Sequence, residues 1–273
     1  MPSIGALLRP LDRLLRGDWR MDQPEGAGAH EGALSGLRLR LFVPWALTLG
    51  ALYGFFVGWF ALFGGRTDAL LHVLAVMLKV PLLFLCTLLV TFPSLYVFGA
   101  LLGSRLSFSA MLRLLVATIV VNLTIAASLG PILGFFTLST TSYGFMVLLN
   151  VALMGLAGLV STGFLMRALV RLSSSQALRA YGEPVRAPEP GGAPMSATAA
   201  PWPPPIPRAP APEPSGVPPI FIVWILTYGV VGAQMGWILR PFIGAPGAPF
   251  ELFRARSGSV LSGLSGAVQS LFN

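Results

Sequence analysis

The long apolar stretches of this chain hold no acidic residue. All ten aspartates and glutamates (Asp12, Asp18, Asp22, Glu25, Glu31, Asp68, Glu183, Glu189, Glu213 and Glu251) lie outside them. Intramembrane carboxylates are the usual carriers of proton relays and cation pathways, so the ordinary equipment of a pump is missing. Lysine is almost absent: of 18 basic residues only Lys79 is not arginine. One cysteine, Cys86, can build neither an intrachain disulfide nor a cysteine metal set. Two histidines, His30 and His72, supply no spaced metal or haem ligands. There is no P-loop, no dinucleotide fingerprint and no G-x-S-x-G elbow. The residues therefore lead to an expectation of no catalytic group, no metal and no cofactor, hence no enzyme.

Apolar sequence is what the chain has in abundance. Of its 273 residues 55% are hydrophobic and 10% charged, with a mean hydropathy of +0.76. A hydrocarbon core of ~30 Å takes about 20 helical residues, and five windows qualify: Leu41–Phe63, Val80–Leu102, Leu112–Phe136, Tyr143–Met166 and Val217–Leu239. The first is too long for a signal-peptide core and reads as a retained span. Pro44, Pro81, Pro93 and Pro131 lie in or beside these windows, where neighbouring helices tolerate a kink. The expected fold is all-α: a polytopic transmembrane bundle of about five spans, preceded by an interfacial amphipathic helix.

Arginines set the orientation. Arg9, Arg13, Arg16, Arg20, Arg38 and Arg40 precede the first span, Arg105 and Arg113 flank the second loop, and Arg167, Arg171 and Arg179 follow the fourth span. The loop Thr137–Ser142 has no charge. Positive residues stay on the cytoplasmic side, which places the N-terminus there and, after five crossings, the C-terminus outside. Arg240, Arg254 and Arg256 run against that bias, so a re-entrant or interfacial fifth segment is the competing reading. The net charge of +8 sits beside apolar spans, where anionic headgroups rather than nucleic acid are the nearest partner. The arginine bias hints at a GC-rich bacterial genome, and the expected location is a bacterial inner membrane.

The chain divides accordingly. Residues 1–21 carry Ile4, Leu7, Leu8, Leu11, Leu14 and Leu15 at helical spacing, with Arg9, Asp12, Arg13 and Arg16 opposite. This is an amphipathic helix, lying on the leaflet with its arginines on headgroups or packed on the protein's own face. Residues 22–40 form a glycine-rich hinge, 41–172 a four-span bundle, 173–216 a proline-rich linker, 217–240 the fifth span and 241–273 an outward loop and helix. Proline at the density of PWPPPIPRAPAPEP makes a semi-rigid extended tether; recognition by a proline-reading partner is the sharper alternative. In the last segment Val260, Leu261, Leu264, Val268, Leu271 and Phe272 share a helical face.

The strongest motif concerns packing. Gly50, Gly54 and Gly58 recur every four residues and let a second backbone approach closely. Gly229, Gly232 and Gly236 repeat the device in the fifth span, and Gly155 and Gly158 give a looser face in the fourth. Such faces serve packing within the chain or association between chains. Asn122, Asn150, Gln234, Thr87 and Thr91 fall inside spans, so they should face the bundle interior, joining helices or lining a polar path. Lys79 and Arg240 are placed to snorkel to a surface; facing a cavity instead, they would meet a lipid headgroup or an anionic solute.

Five spans, a cytoplasmic segment before the first and a short outward C-terminus resemble the Yip-family membrane proteins over about Arg38–Arg240. The runs Leu88–Ser107 (LLVTFPSLYVFGALLGSRLS) and Gly232–Gly244 (GAQMGWILRPFIG) have the look of family-specific sequence. The long proline tether before the fifth span departs from that pattern. The resemblance implies a non-enzymatic membrane-organising or adaptor role and carries over no active-site residue. The expectation is an integral membrane scaffold or accessory subunit, bound to the bilayer and to a membrane-protein partner or a second copy. The alternative is a channel or carrier for a neutral or anionic solute.

Overall fold

A computed structural model describes residues 9, 12, 14–16, 39–63, 68–101, 108–182, 219–244, 250–253, 258 and 260–269. Its regular elements are all helices: α1 (Leu39–Gly58), α2 (Phe60–Phe63), α3 (Ala69–Leu101), α4 (Phe108–Ser139), α5 (Tyr143–Gly182), α6 (Pro219–Leu239) and α7 (Val260–Gln269). Five stretches are long and apolar enough to cross a membrane: Phe42–Phe63, Ala69–Val97, Met111–Ser139, Tyr143–Val170 and Ile222–Leu239. The protein is an all-helical candidate transmembrane bundle, and lipid is its solvent. With no water in hydrocarbon, helices are what satisfy every backbone group internally.

The five long helices stand in a curved row, α6–α3–α1–α4–α5, each packed on its neighbours in that order. We call the end of the bundle where α1 starts the near end and the opposite one the far end. α4 sits deepest, with 61% of its span buried, whereas α5 and α6 at the two ends of the row bury 22% and 6%. The short α7 touches both of those end helices. Trp59 interrupts the first span between α1 and α2, its carbonyl accepting from the Leu62 amide. Ser142 caps α5: its hydroxyl accepts from the Phe145 amide at 3.4 Å, satisfying a donor that the first helical turn leaves open.

Two elements differ in extent from the sequence reading. α3 begins at Ala69, eleven residues before the apolar window opening at Val80, because Leu70, Leu71, Val73, Leu74 and Val76 continue the helix past its charged residue. α5 runs on to Gly182, so residues 173–182 of the segment read as linker are helical. The proline-rich stretch itself lies outside the described residues. Of the N-terminal amphipathic helix, only residues 9, 12 and 14–16 are described, all helical. Leu14 is buried with the hydrophobic core, while Arg9, Asp12, Leu15 and Arg16 are exposed. At Leu14, then, this segment joins the protein's own buried core.

Candidate functional site

The glycines of α1 are used inside the chain. A Cβ on Gly50 would lie 2.8 Å from Pro81 Cβ, and one on Gly58 3.0 Å from Val73 Cα; Gly54 comes closest to backbone, 2.7 Å from Val76 O. A Cβ essentially never sits as near backbone as it would at Gly54, and at Gly50 and Gly58 it would also be crowded, so the hydrogen at these positions is what lets α1 and α3 touch. A second interlock joins α1 to α4: Phe56 fills the space at Gly130 and Trp59 that at Gly134. Sequence reasoning missed this pair. The signal was present as two glycines four apart in α4, matching two aromatics three apart at the end of α1 and just after it.

The glycines of the end helices divide. Gly232 and Gly236 meet Thr87 and Leu83 of α3 at ordinary contact distances, 3.7 and 3.4 Å. Gly155, Gly158 and Gly229 have nothing within 4 Å of a Cβ position among the described residues. Around them Leu156, Leu159, Val160, Leu226 and Val230 are exposed. The faces that carry these three glycines therefore have no neighbour among the described residues.

Polar residues of the spans do not converge. Thr87 and Thr91 are buried, but each hydroxyl donates to the carbonyl four residues back, Leu83 and Thr87 respectively. Thr118, Thr124 and Thr137 do the same in α4, a self-contained arrangement in which each of these hydroxyls donates within its own helix. Asn150 accepts from the Tyr53 hydroxyl at 2.9 Å, joining α5 to α1. Asn122 is buried, and its Oδ1 has no hydrogen-bond partner among the described residues. Gln234 is exposed, contrary to the expectation that it faces the interior. α6 has only α3 to pack on along its length, and Gly232 and Gly236 occupy that face, which turns Gln234 away.

The most distinctive constellation lies along the α3–α6 seam and the segment after it. Trp224 Nε1 donates to Thr91 O at 3.3 Å and the Tyr228 hydroxyl to Phe84 O at 3.4 Å, two side chains of α6 pinned to backbone carbonyls of α3. Beyond Leu239 the direction reverses, and side chains of α3 hold carbonyls of the C-terminal segment. Lys79 Nζ donates to Pro241 O at 3.3 Å and, closer still, to Leu252 O, with the Phe253 ring 5.4 Å away. His72 Nε2 lies 3.0 Å from Phe242 O, and its ring meets Phe250 edge-on.

This corrects the placement of Lys79 and His72. Lys79 does not reach a surface: it is 4% exposed, and His72 is 1% exposed. Since Gly50 abuts Pro81 and Gly54 abuts Met77, Lys79 is level with the middle of the first span, about ten residues or roughly 15 Å from either end. The C-terminal segment supplies the acceptors that an ammonium at such depth requires. Arg240 stacks its guanidinium 3.6 Å from the Trp237 ring centroid and is partly exposed.

α7 completes the arrangement. Trp237 Nε1 donates to Gly258 O at 3.2 Å, and Trp237 lies where a Cβ on Gly263 would be. The buried face of α7 differs from the one read in the sequence: Ala267 is buried, while Leu261 and Val268 are exposed. Of the three arginines read as headgroup contacts near the N-terminus, Arg9 is exposed, Arg16 pairs with Asp12 at 2.9 Å, and Arg13 lies outside the described residues.

No family model, curated protein or solved structure matches the chain. The five candidate membrane helices are what remains in common with a Yip-like topology.

Proposed function

We propose that this protein is a non-enzymatic scaffold or accessory subunit of a membrane assembly, offering the outer faces of α5 and α6 to a membrane partner or a second copy. One observation carries this reading: within the same chain, the Gly50–Gly54–Gly58 face is consumed by α3, while Gly155, Gly158 and Gly229 stand open on the two least buried helices. Small residues let helices approach closely in lipid, where hydrophobicity supplies no drive to associate. Faces built this way and left unfilled suit a helix from elsewhere. The Yip-like adaptor role and the bacterial inner membrane belong to the same proposal. So does a cytoplasmic near end, favoured by Arg40, Arg113 and Arg167, which belong to the near-end turns of α1, α4 and α5.

For the competing reading, a channel or carrier, the threonine hydroxyls offer little, being satisfied within their own helices; it would rest on the buried Asn122 Oδ1, which has no hydrogen-bond partner among the described residues. The test is crosslinking. With Cys86 replaced, single cysteines at Gly158 and Gly229 should give intermolecular products of defined mass in native membranes, and cysteine at Gly54 should give none. A monomer without companions, combined with solute flux through liposomes that Asn122→Leu abolishes, would reverse the preference.

A further inference from the structure

We infer that the face of α6 turned away from α3 is a self-association seam, on which two copies of this chain pair about a two-fold axis and Gln234 of each bonds Gln234 of the other. Val223, Thr227, Val230 and Gln234 follow one another at spacings of four, three and four residues. On an α-helix these positions form a stripe about 60° wide, the spacing of a heptad seam. All four are exposed, while Gly232 and Gly236 sit on the other side of the helix against α3. The stripe is continuous along the helix that buries least of its span, 6%.

Gln234 is the group that calls for a partner. Since Gly232 meets Thr87 and Gly236 meets Leu83, Gln234 stands level with Leu85, inside the α3 span Ala69–Val97. Exposed Leu78 and Leu82 of α3 lie to its far side and exposed Leu89, Val90 and Val97 to its near side, so the amide is set among lipid-facing apolar side chains. It has no hydrogen-bond partner among the described residues. A primary amide carries an acceptor and two donors, and hydrocarbon satisfies none of them. The membrane itself selects the occupant. Copies inserted in one bilayer share one orientation, so two α6 helices that meet on this stripe run parallel, and the two-fold axis puts each residue opposite itself. Gln234 then faces an identical amide, which accepts where the first donates. The Thr227 hydroxyl already donates to Val223 O at 2.9 Å, which leaves the pairing to Gln234, a polar group in an apolar seam of the kind that fixes register. This inference rests on the scaffold reading and names the second copy as the partner on one face of α6.

The test uses full-length protein carrying Cys86→Ala, reconstituted at low density in phosphatidylcholine liposomes, with single cysteines oxidised and the products read by mass. Val223→Cys and Val230→Cys should each give a homodimer. Leu226→Cys, exposed on the same helix but about 80° round from Gln234, should give little. Adding Gln234→Leu to Val230→Cys should cut the dimer about tenfold, the scale of a pair of hydrogen bonds between membrane helices, and Gln234→Asn should keep most of it. The thermal midpoint of Gln234→Leu in detergent, which reads the fold of the single chain, should not fall, so that a lost dimer is distinguished from a lost fold. No dimer at Val230, equal yields at Val230 and Leu226, undiminished yield with Gln234→Leu, or a Val230 crosslink in native membranes that captures a different protein in place of a second copy would each overturn the seam. Gly229 lies about 140° round the helix from Gln234, so its crosslinks in native membranes report the scaffold reading separately.

Discussion

Gly54 and Met77 meet backbone to backbone: a Cβ on the glycine would lie 2.8 Å from Met77 Cα. Neither atom can swing aside, so Gly54→Ala must push α1 and α3 apart. Overpacking of this kind costs about 1–3 kcal/mol, and the thermal midpoint in detergent, followed by tryptophan fluorescence, should fall. Gly155→Ala, which meets open space, should leave that midpoint unchanged. A comparable drop in both variants would mean that the α1–α3 contact is looser than described.

Tyr53 and Asn150 can be separated from general packing by a double-mutant cycle. Tyr53→Phe and Asn150→Leu each break the 2.9 Å bond between α1 and α5. Their coupling energy should be about 0.6–1.7 kcal/mol, the range for side-chain hydrogen bonds between membrane helices. Additive effects would show that the two side chains do not interact.

Asn122 and Gln234 should respond unlike structural polar residues. The buried Asn122 Oδ1 has no partner among the described residues, and an orphaned carbonyl of this kind costs about 1–3 kcal/mol. Asn122→Leu is expected to hold or raise the thermal midpoint. Gln234→Leu, on an exposed face of α6, should do the same and should cause no solute leak in liposomes. A marked loss of stability in Asn122→Leu would reveal a partner for the amide.

Packing of α6 on α3 can be read covalently. Gly232 and Thr87 approach to 3.7 Å from Cβ position to Cγ2, so Gly232→Cys with Thr87→Cys, in a Cys86→Ala background, should oxidise to an intrachain disulfide. The product is a monomer of altered mobility on a denaturing gel. A dimer band would mean that α6 of one copy packs on α3 of another.

The number of spans, the four-residue glycine repeat and the small final helix were all legible in the sequence, because each is a local pattern of hydrophobicity or size. What α1 packs on was not. A GxxxG face reads the same whether its partner is in the chain or outside it, and only the positions of Pro81, Val76 and Val73 decide. Lys79 misled for a different reason. Its acceptors are backbone carbonyls more than 160 residues away, and carbonyls have no sequence signature. Gln234 misled because a polar residue in a span is expected to face protein, whereas among the described residues α6 packs chiefly on α3, on the side of Gly232 and Gly236.

The 40 residues of α5 make a rod about 60 Å long, double the thickness of a ~30 Å hydrocarbon layer. Starting at Tyr143 on the far side, it leaves the bilayer well before Gly182 and stands up from the headgroups like a mast. The last 12 residues of the rod, 171–182, add about 18 Å of helix beyond the apolar stretch that ends at Val170.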